Sequence, residues 1–326
     1  MPIFEMLRAF QETAALKSAI EIGVFTAIGE GARDAASIAA KCGASERGVR
    51  ILCDILAANE LLTKHNGSYD NSVNAKVFLD KNSPAYMGGI TDFICDPVIT
   101  DHILRDLTAC VRKGATMMGP DGTVSDNNQI WVKFARAMAP ITAPAAQYIA
   151  SLLPNSGPIK VLDIAAGHGM FGIAVAKHNP EAQITALDWA AVLEVAKENA
   201  AKAGVADRYR TIPGSAFDVD YGTNYDVVLI TNFLHHFDPE TNTRFLRKVY
   251  AALKPGGKAI TLDFVPDDDR SAPLVAVRFA LTMLATTEHG DAYTFAEYQP
   301  MFQNAGFASN TLQRMETQQS VIISTK

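Results

Sequence analysis

Leu16, Ile20, Val24 and Ile28 recur every four residues, which places them on one face of a helix that Gly29-Glu30-Gly31 ends. A short helix over 35–41 follows, then a turn at Gly43-Ala44. The next helix can be capped by Ser45, and its apolar face is Val49, Leu52 and Leu56. Two strand-like runs, 61–64 and 68–70, flank His65-Asn66-Gly67, and Asn-Gly favours a tight hairpin. Helix, turn, helix, hairpin is a winged-helix pattern. Residues 75–155 read as mostly helical around a polar loop at 119–128, and 154–158 reads as a linker.

From Ile159 the pattern changes. Strand-like runs at 160–164, 183–187, 209–212, 226–230 and 258–264 alternate with helical runs, notably 192–203 and 239–253. Such alternation predicts an α/β fold, a doubly wound, mostly parallel sheet covered by helices on both faces. The end differs: 306–312 and 320–325 are strands with no helix between them, which predicts a terminal antiparallel hairpin. The expected division is a winged-helix-like unit over 1–105, connecting helices over 106–155 and the α/β domain over 156–326.

Composition narrows the function classes. With 29 Lys and Arg against 35 Asp and Glu, the net charge of −6 does not favour nucleic-acid binding, which needs a basic face. The winged-helix pattern keeps a DNA-binding regulator in view, with Arg47 and Arg50 on its second helix. Yet 31–80 is electrically balanced, and a neutral module is poorly suited to phosphate contacts. Cys42, Cys53, Cys95 and Cys110 form no CxxC pair and have no His cluster beside them, so they read as reduced thiols of a cytoplasmic protein without a metal site. There is no signal-peptide pattern, and no apolar run reaches the ~18 residues of a membrane span.

The most informative stretch is 161–169, Val-Leu-Asp-Ile-Ala-Ala-Gly-His-Gly, where an apolar strand enters a small-residue loop and a helix leaves it. Such a loop lets backbone approach a ligand closely, and the helix start offers N–H groups to a phosphate or carboxylate. Gly167, Gly169 and Gly172 also satisfy GxGxxG, so a dinucleotide remains open on these residues alone. Asp188, about 20 residues on, can bind ribose hydroxyls in either cofactor class.

This stretch, with Asp163 before the loop and Asp188 after the second strand, resembles the donor-binding motif of class I S-adenosylmethionine-dependent methyltransferases. The turn Leu253-Lys254-Pro255-Gly256-Gly257-Lys258 and the terminal hairpin fit that sheet. The N-terminal pattern resembles the dimerisation domain of plant caffeate-type and bacterial small-molecule O-methyltransferases. The resemblance implies that Gly167 and Gly169 line the methionine moiety, Asp188 binds the ribose and Trp189 lies against adenine. It implies a homodimer in which one N-terminus approaches the partner's acceptor pocket. The chain departs from the family pattern at Ala165, where the first loop glycine stands. Gly214-Ser215-Ala216-Phe217 replaces Gly-Asp-Met-Phe, Thr231 replaces a lysine and Phe237 replaces a tryptophan that stacks on adenine. Ser215 leaves only a neutral acceptor for the adenine amine.

His235-His236 follows the fourth strand, at the sheet edge where ligands sit. By the resemblance His235 matches the family's general base, His236 replaces an Asp, and Asp263 matches a glutamate that orients the base. The family's second acid falls at Ala292, beside Asp291. Trp131, Phe134, Met138, Phe279, Met283 and Thr287 match the acceptor pocket; Phe134/Met138 and Phe279/Met283 are spaced to share a helix face. An ordinary imidazole and an ordinary phenol differ by about 3.5 pKa units, roughly 5 kcal/mol, whereas an alcohol resembling water faces roughly 12–13 kcal/mol. The expected activity is therefore methyl transfer to a small, hydroxyl-bearing aromatic molecule, without a metal. Carbon, nitrogen or sulfur acceptors stay open because Ala292 and His236 break the pattern.

Overall fold

The computed structural model describes residues 2–119, 121–124, 129–316 and 318–326. It divides into two compact units, Met1–Cys95 and Asp96–Lys326. The polar loop expected at 119–128 lies partly outside the described residues.

The first unit comprises α1 (Pro2–Ile22), α2 (Val24–Gly29), α3 (Ala35–Cys42), α4 (Glu46–Ala58), β1 (Leu62–His65), β2 (Ser68–Asn71), α5 (Val73–Phe78) and α6 (Thr91–Ile94). Asp34 caps α3 by accepting from the Ser37 N–H, and Ser45 caps α4 by accepting from the Gly48 N–H. Asn66 and Gly67 both have positive φ, the two-residue turn that suits a right-twisted hairpin, and His65 pairs with Ser68 across it.

The helix expected through Leu16–Ile28 is two helices. Gly23 adopts φ +79, a left-handed conformation that ends α1 and lets α2 start afresh. The four-residue apolar rhythm persists across the break because Ile20, Val24 and Ile28 all enter this unit's own core, with Phe25, Ile38, Val49 and Leu56. These residues therefore offer no spare surface to a partner. Most exposed apolar residues of α1 lie upstream, at Ile3, Phe4, Met6, Leu7 and Phe10, with Ile22 exposed at its far end.

The second unit opens with α7 (Pro97–Asp101), α8 (Leu107–Lys113) and α9 (Ile130–Ser151). Strands and helices then alternate: β3 (Lys160–Ile164), α10 (Met170–His178), β4 (Gln183–Asp188), α11 (Ala190–Lys202), β5 (Tyr209–Pro213), β6 (Tyr225–Thr231), α12 (Pro239–Ala252) and β7 (Leu253–Asp263). After α13 (Leu274–Thr286) and α14 (Phe295–Ala305), β8 (Ser309–Arg314) and β9 (Ser320–Thr325) close the chain. The seven strands are ordered β5-β4-β3-β6-β7-β9-β8. The first five are parallel, and β9 runs antiparallel to both β7 and β8.

Both sheet faces are buried, which is why the strands read as near-continuous apolar runs. Val161, Ile184, Leu229 and Leu262 enter one core; their strand neighbours Leu162, Leu187, Val228, Ile230 and Ala259 enter the other. β7 begins at Leu253 rather than near 258 because Leu253 pairs with Tyr225 before a register shift. The chain leaves β3 toward β4 on one side and resumes at β6 on the other, so a crevice opens beyond the carboxyl ends of β3 and β6. Among the described residues no helix is long and apolar enough to cross a membrane.

Candidate active site

The loop after β3 turns sharply: Ala165, Gly167 and Gly169 all have positive φ. Gly169 is the N-cap of α10, and a Cβ there would come within 2.5 Å of the Tyr209 hydroxyl, so the backbone lies where a side chain cannot. Ala165 holds its left-handed conformation without being glycine, at a cost of about 1–2 kcal/mol. Asp163, at the end of β3, is buried and accepts from the Gly172 N–H. Burial pushes its carboxyl up to about 7.

Asp188 ends β4 and binds the loop directly. One carboxylate oxygen accepts from the Gly167 N–H at 2.8 Å, the other from the Trp189 N–H at 2.7 Å. Its carbonyl accepts from the Gly214 N–H, which joins the β3, β4 and β5 loops. Burial raises the carboxyl to about 6 against the effect of those two N–H groups. Each oxygen keeps a lone pair for a hydroxyl donor. Trp189 packs with Trp131 and Val132 against Ala135, Val192 and Val195. The Ser215 hydroxyl oxygen accepts from the Phe217 N–H, and Ala216 is buried beneath it. Phe217 stands 4.9 Å from Phe237, and Phe233 lies 5.0 Å from Phe237, giving an aromatic wall beside the buried end of β6 at Thr231. Positive-φ backbone, a two-oxygen acceptor and an aromatic wall at adjacent strand ends fit an adenosyl amino acid.

His235 lies in the short turn after β6 and is 3% exposed; Asp263, at the end of β7, is fully buried. His235 Nδ1 is 2.7 Å from Asp263 Oδ1. The same oxygen accepts from the Phe264 N–H, and Oδ2 accepts from the Tyr298 hydroxyl at 2.9 Å. A carboxylate can only accept, so His235 donates through Nδ1 and Nε2 carries the basic lone pair. Asp263, though shorter than the family's glutamate, therefore reaches the ring. Asp291 does not serve it. The Asp291 backbone N–H donates to the His235 carbonyl, while its carboxylate accepts from Ala292 N–H and lies 3.4 Å from Arg270. His236 is half-buried, its Nδ1 has no partner, and burial, then His235 beside it, hold it well below the usual imidazole range.

The expected acceptor residues split into two groups. Phe279 meets the His235 ring edge-on at 4.7 Å, Trp131 meets the His236 ring at 5.2 Å, and Phe134 is 5.8 Å from Trp131. Met138 follows on α9 and is half-buried. Met283 and Thr287 are buried more deeply. The Thr287 hydroxyl donates to the Met283 carbonyl and accepts from the Gly290 N–H, and Gly290 backs directly onto the His235 carbonyl. Thr287 thus braces the turn behind the histidines. Tyr298 and Phe264 were not foreseen: Tyr298 sits on α14 among Met301, Phe302 and Ala305, an ordinary core face by spacing. Among the described residues no group of three or more His, Cys, Asp or Glu side chains could hold a metal.

Known proteins decide the family. The O-methyltransferase domain matches residues 105–308, and the O-methyltransferase dimerisation domain matches residues 4–81. The chain belongs to the O-methyltransferase family. A structure from Nostoc punctiforme assigned to the O-methyltransferases is 50% identical, with a TM-score of 0.94 over 99% of this chain and 98% of that one. Human N-acetylserotonin methyltransferase, solved in complex with S-adenosylmethionine, shares the fold at 21% identity and a TM-score of 0.87, over 99% of this chain and 96% of that one. The 3-hydroxy-5-methyl-1-naphthoate 3-O-methyltransferase of Streptomyces sahachiroi is 28% identical over 90% of this chain and 86% of its own. The L-tyrosine C(3)-methyltransferase of Streptomyces lavendulae is 32% identical over 62% of this chain and 56% of its own. This enzyme is thus an S-adenosylmethionine-dependent O-methyltransferase of small molecules, with the class I sheet and an N-terminal dimerisation domain.

Proposed function

We propose that this O-methyltransferase methylates a hydroxyl on a small aromatic acceptor, with His235 Nε2 as general base. The observation that carries the reading is the buried His235–Asp263 pair, at 2.7 Å, between Phe279 and the Trp131–His236 edge. Asp188 would hold the ribose, the 165–169 loop the methionine portion, and Phe217 and Phe237 the adenine. Bound S-adenosylmethionine supplies an electrophilic methyl on a positively charged sulfur.

His235 Nε2 takes the hydroxyl proton. The freed oxygen pair forms the O–C bond as the S–C bond breaks and its electrons return to sulfur. The Asp263 carboxylate faces the imidazolium that forms at 2.7 Å, while His236, held toward its neutral form by burial, adds no second positive charge. The 3-hydroxy-5-methyl-1-naphthoate acted on by the Streptomyces sahachiroi relative supports an aromatic acceptor here. The match to a dimerisation domain supports a homodimer, and the exposed Ile3, Phe4, Leu7 and Phe10 would give it an apolar face to bury.

The test is a panel of phenols, thiols and indoles incubated with methyl-labelled S-adenosylmethionine, with the labelled position located by mass fragmentation. An O-methylated phenol is expected. Exclusive labelling of carbon or sulfur would reject the oxygen acceptor.

A further inference from the structure

His168 lies inside the donor loop and is 3% exposed, yet both of its ring nitrogens have partners. The Met170 N–H points at Nδ1 at 3.2 Å, and Thr142 Oγ1 lies 3.0 Å from Nε2. Because Nδ1 accepts, Nε2 carries the proton and donates to Thr142, whose own hydroxyl donates to the Met138 carbonyl at 2.8 Å. The ring is also stacked near Phe134 and tilted against Phe171. One imidazole thus touches the loop that holds the methyl donor and the helix that carries Trp131, Phe134 and Met138.

Thr142 sits at a weak point of that helix. Pro140 and Pro144 both lie inside α9. Neither can donate a backbone hydrogen bond, so the carbonyls of Arg136 and Pro140 lose their helical partners. Beyond the prolines, Ala145, Ala146, Ile149 and Ala150 are anchored in the sheet core. The half before them bears the acceptor-side residues and is joined to the anchored half through a stretch short of ladder bonds.

We propose that His168 is a positioning residue that registers the acceptor-side half of α9 against the donor loop, so that filling the loop sets the acceptor wall. The inference rests on the site assignment given under Proposed function. Burial holds the His168 ring down at about 4, so the neutral form with its Nε2 proton persists at ordinary pH.

Three substitutions separate the tie from the fold. Thr142→Val removes the acceptor of the bond while keeping its shape. His168→Asn keeps an oxygen for the Met170 N–H but is too short to reach Thr142. His168→Gln places an N–H near the Nε2 position and should rescue. Each variant, checked for a cooperative melt, is assayed for S-adenosylhomocysteine affinity by calorimetry, acceptor KM and kcat, and amide exchange over 131–138 with and without S-adenosylhomocysteine.

The expected result for Thr142→Val and His168→Asn is a roughly tenfold rise in acceptor KM with S-adenosylhomocysteine affinity within threefold of wild type. In the same two variants the product-induced slowing of exchange over 131–138 is lost; in His168→Gln it returns. Unchanged acceptor KM with an intact exchange response would overturn the proposal, as would a loss of nucleoside affinity equal to the rise in KM. A wild-type enzyme that methylates no phenol would reject the acceptor assignment alone, because the exchange arm still decides the tie.

Discussion

Asp263→Asn isolates the charge behind the base from the geometry that holds it. Asp263 Oδ1 accepts from both Phe264 N–H and His235 Nδ1, while Oδ2 accepts from Tyr298. In the variant, the Phe264 N–H requires oxygen at the Oδ1 place, so the new NH₂ faces Tyr298, whose hydroxyl can turn to accept. The ring orientation and tautomer of His235 are then kept, and what disappears is the negative charge opposite the forming imidazolium. A hydrogen bond to a charged group contributes about 1.5–3 kcal/mol and a neutral one about 0.5–1.5. The swap therefore costs about 1–2 kcal/mol in the transition state, a roughly 5- to 30-fold fall in rate. Single-turnover methyl transfer with saturating donor measures it, with calorimetry confirming unchanged donor affinity. Asp263→Ala, by contrast, strands three donors, the buried His235 and Tyr298 groups at about 1–3 kcal/mol each, and should lower the melting temperature as well. A rate within twofold of wild type for Asp263→Asn, or a loss confined to donor affinity, would show that the Asp263 charge does not support the imidazolium.

Asp188→Ala should weaken S-adenosylmethionine binding by about 1.5–3 kcal/mol, read by calorimetry, and unchanged affinity would remove its ribose role. Its carboxyl titrates at about 6, so wild-type donor affinity should fall as pH drops through that value, and Asp188→Asn should flatten the dependence. For Asp163 the folded value of about 7 lies above the ordinary 3.8, so the unfolded chain loses this proton first. Stability should therefore decline as pH rises from about 4 to 7 and level off beyond, a contribution on the order of 4 kcal/mol. Urea melts of Asp163→Asn should show a shallower decline, and an identical slope would contradict this. Glutamates at Leu7 and Phe10 should shift the enzyme from dimer to monomer in sedimentation at micromolar concentration; an unchanged dimer would place the interface elsewhere.

Much of the catalytic unit was legible because its strands are buried on both faces and each ends in a recognisable turn. The boundaries of β3 and β9 match the expected runs, and β8 and β9 pair antiparallel as anticipated. The N-terminal helix misled because apolar spacing carries across a glycine break: Ile20 and Val24 keep the rhythm while Gly23 interrupts the backbone. Side-chain duties were harder to read. Tyr298 is 35 residues from Asp263 in sequence and looks like core, and Thr287 looks like pocket lining although its hydroxyl closes a local turn. Such roles depend on where separate elements meet, which periodicity does not encode. The His235–Asp263 pairing was legible only through family resemblance, and the geometry brings the two side chains together.

The role of His235 as the base is probed by His235→Ala, assayed for transfer of a labelled methyl group from S-adenosylmethionine to the oxygen of a phenolic acceptor. With His235 as the base, donor affinity stays within twofold of wild type and turnover falls by about 10²- to 10⁴-fold. Near-normal O-methylation by this variant would exclude His235 as the base.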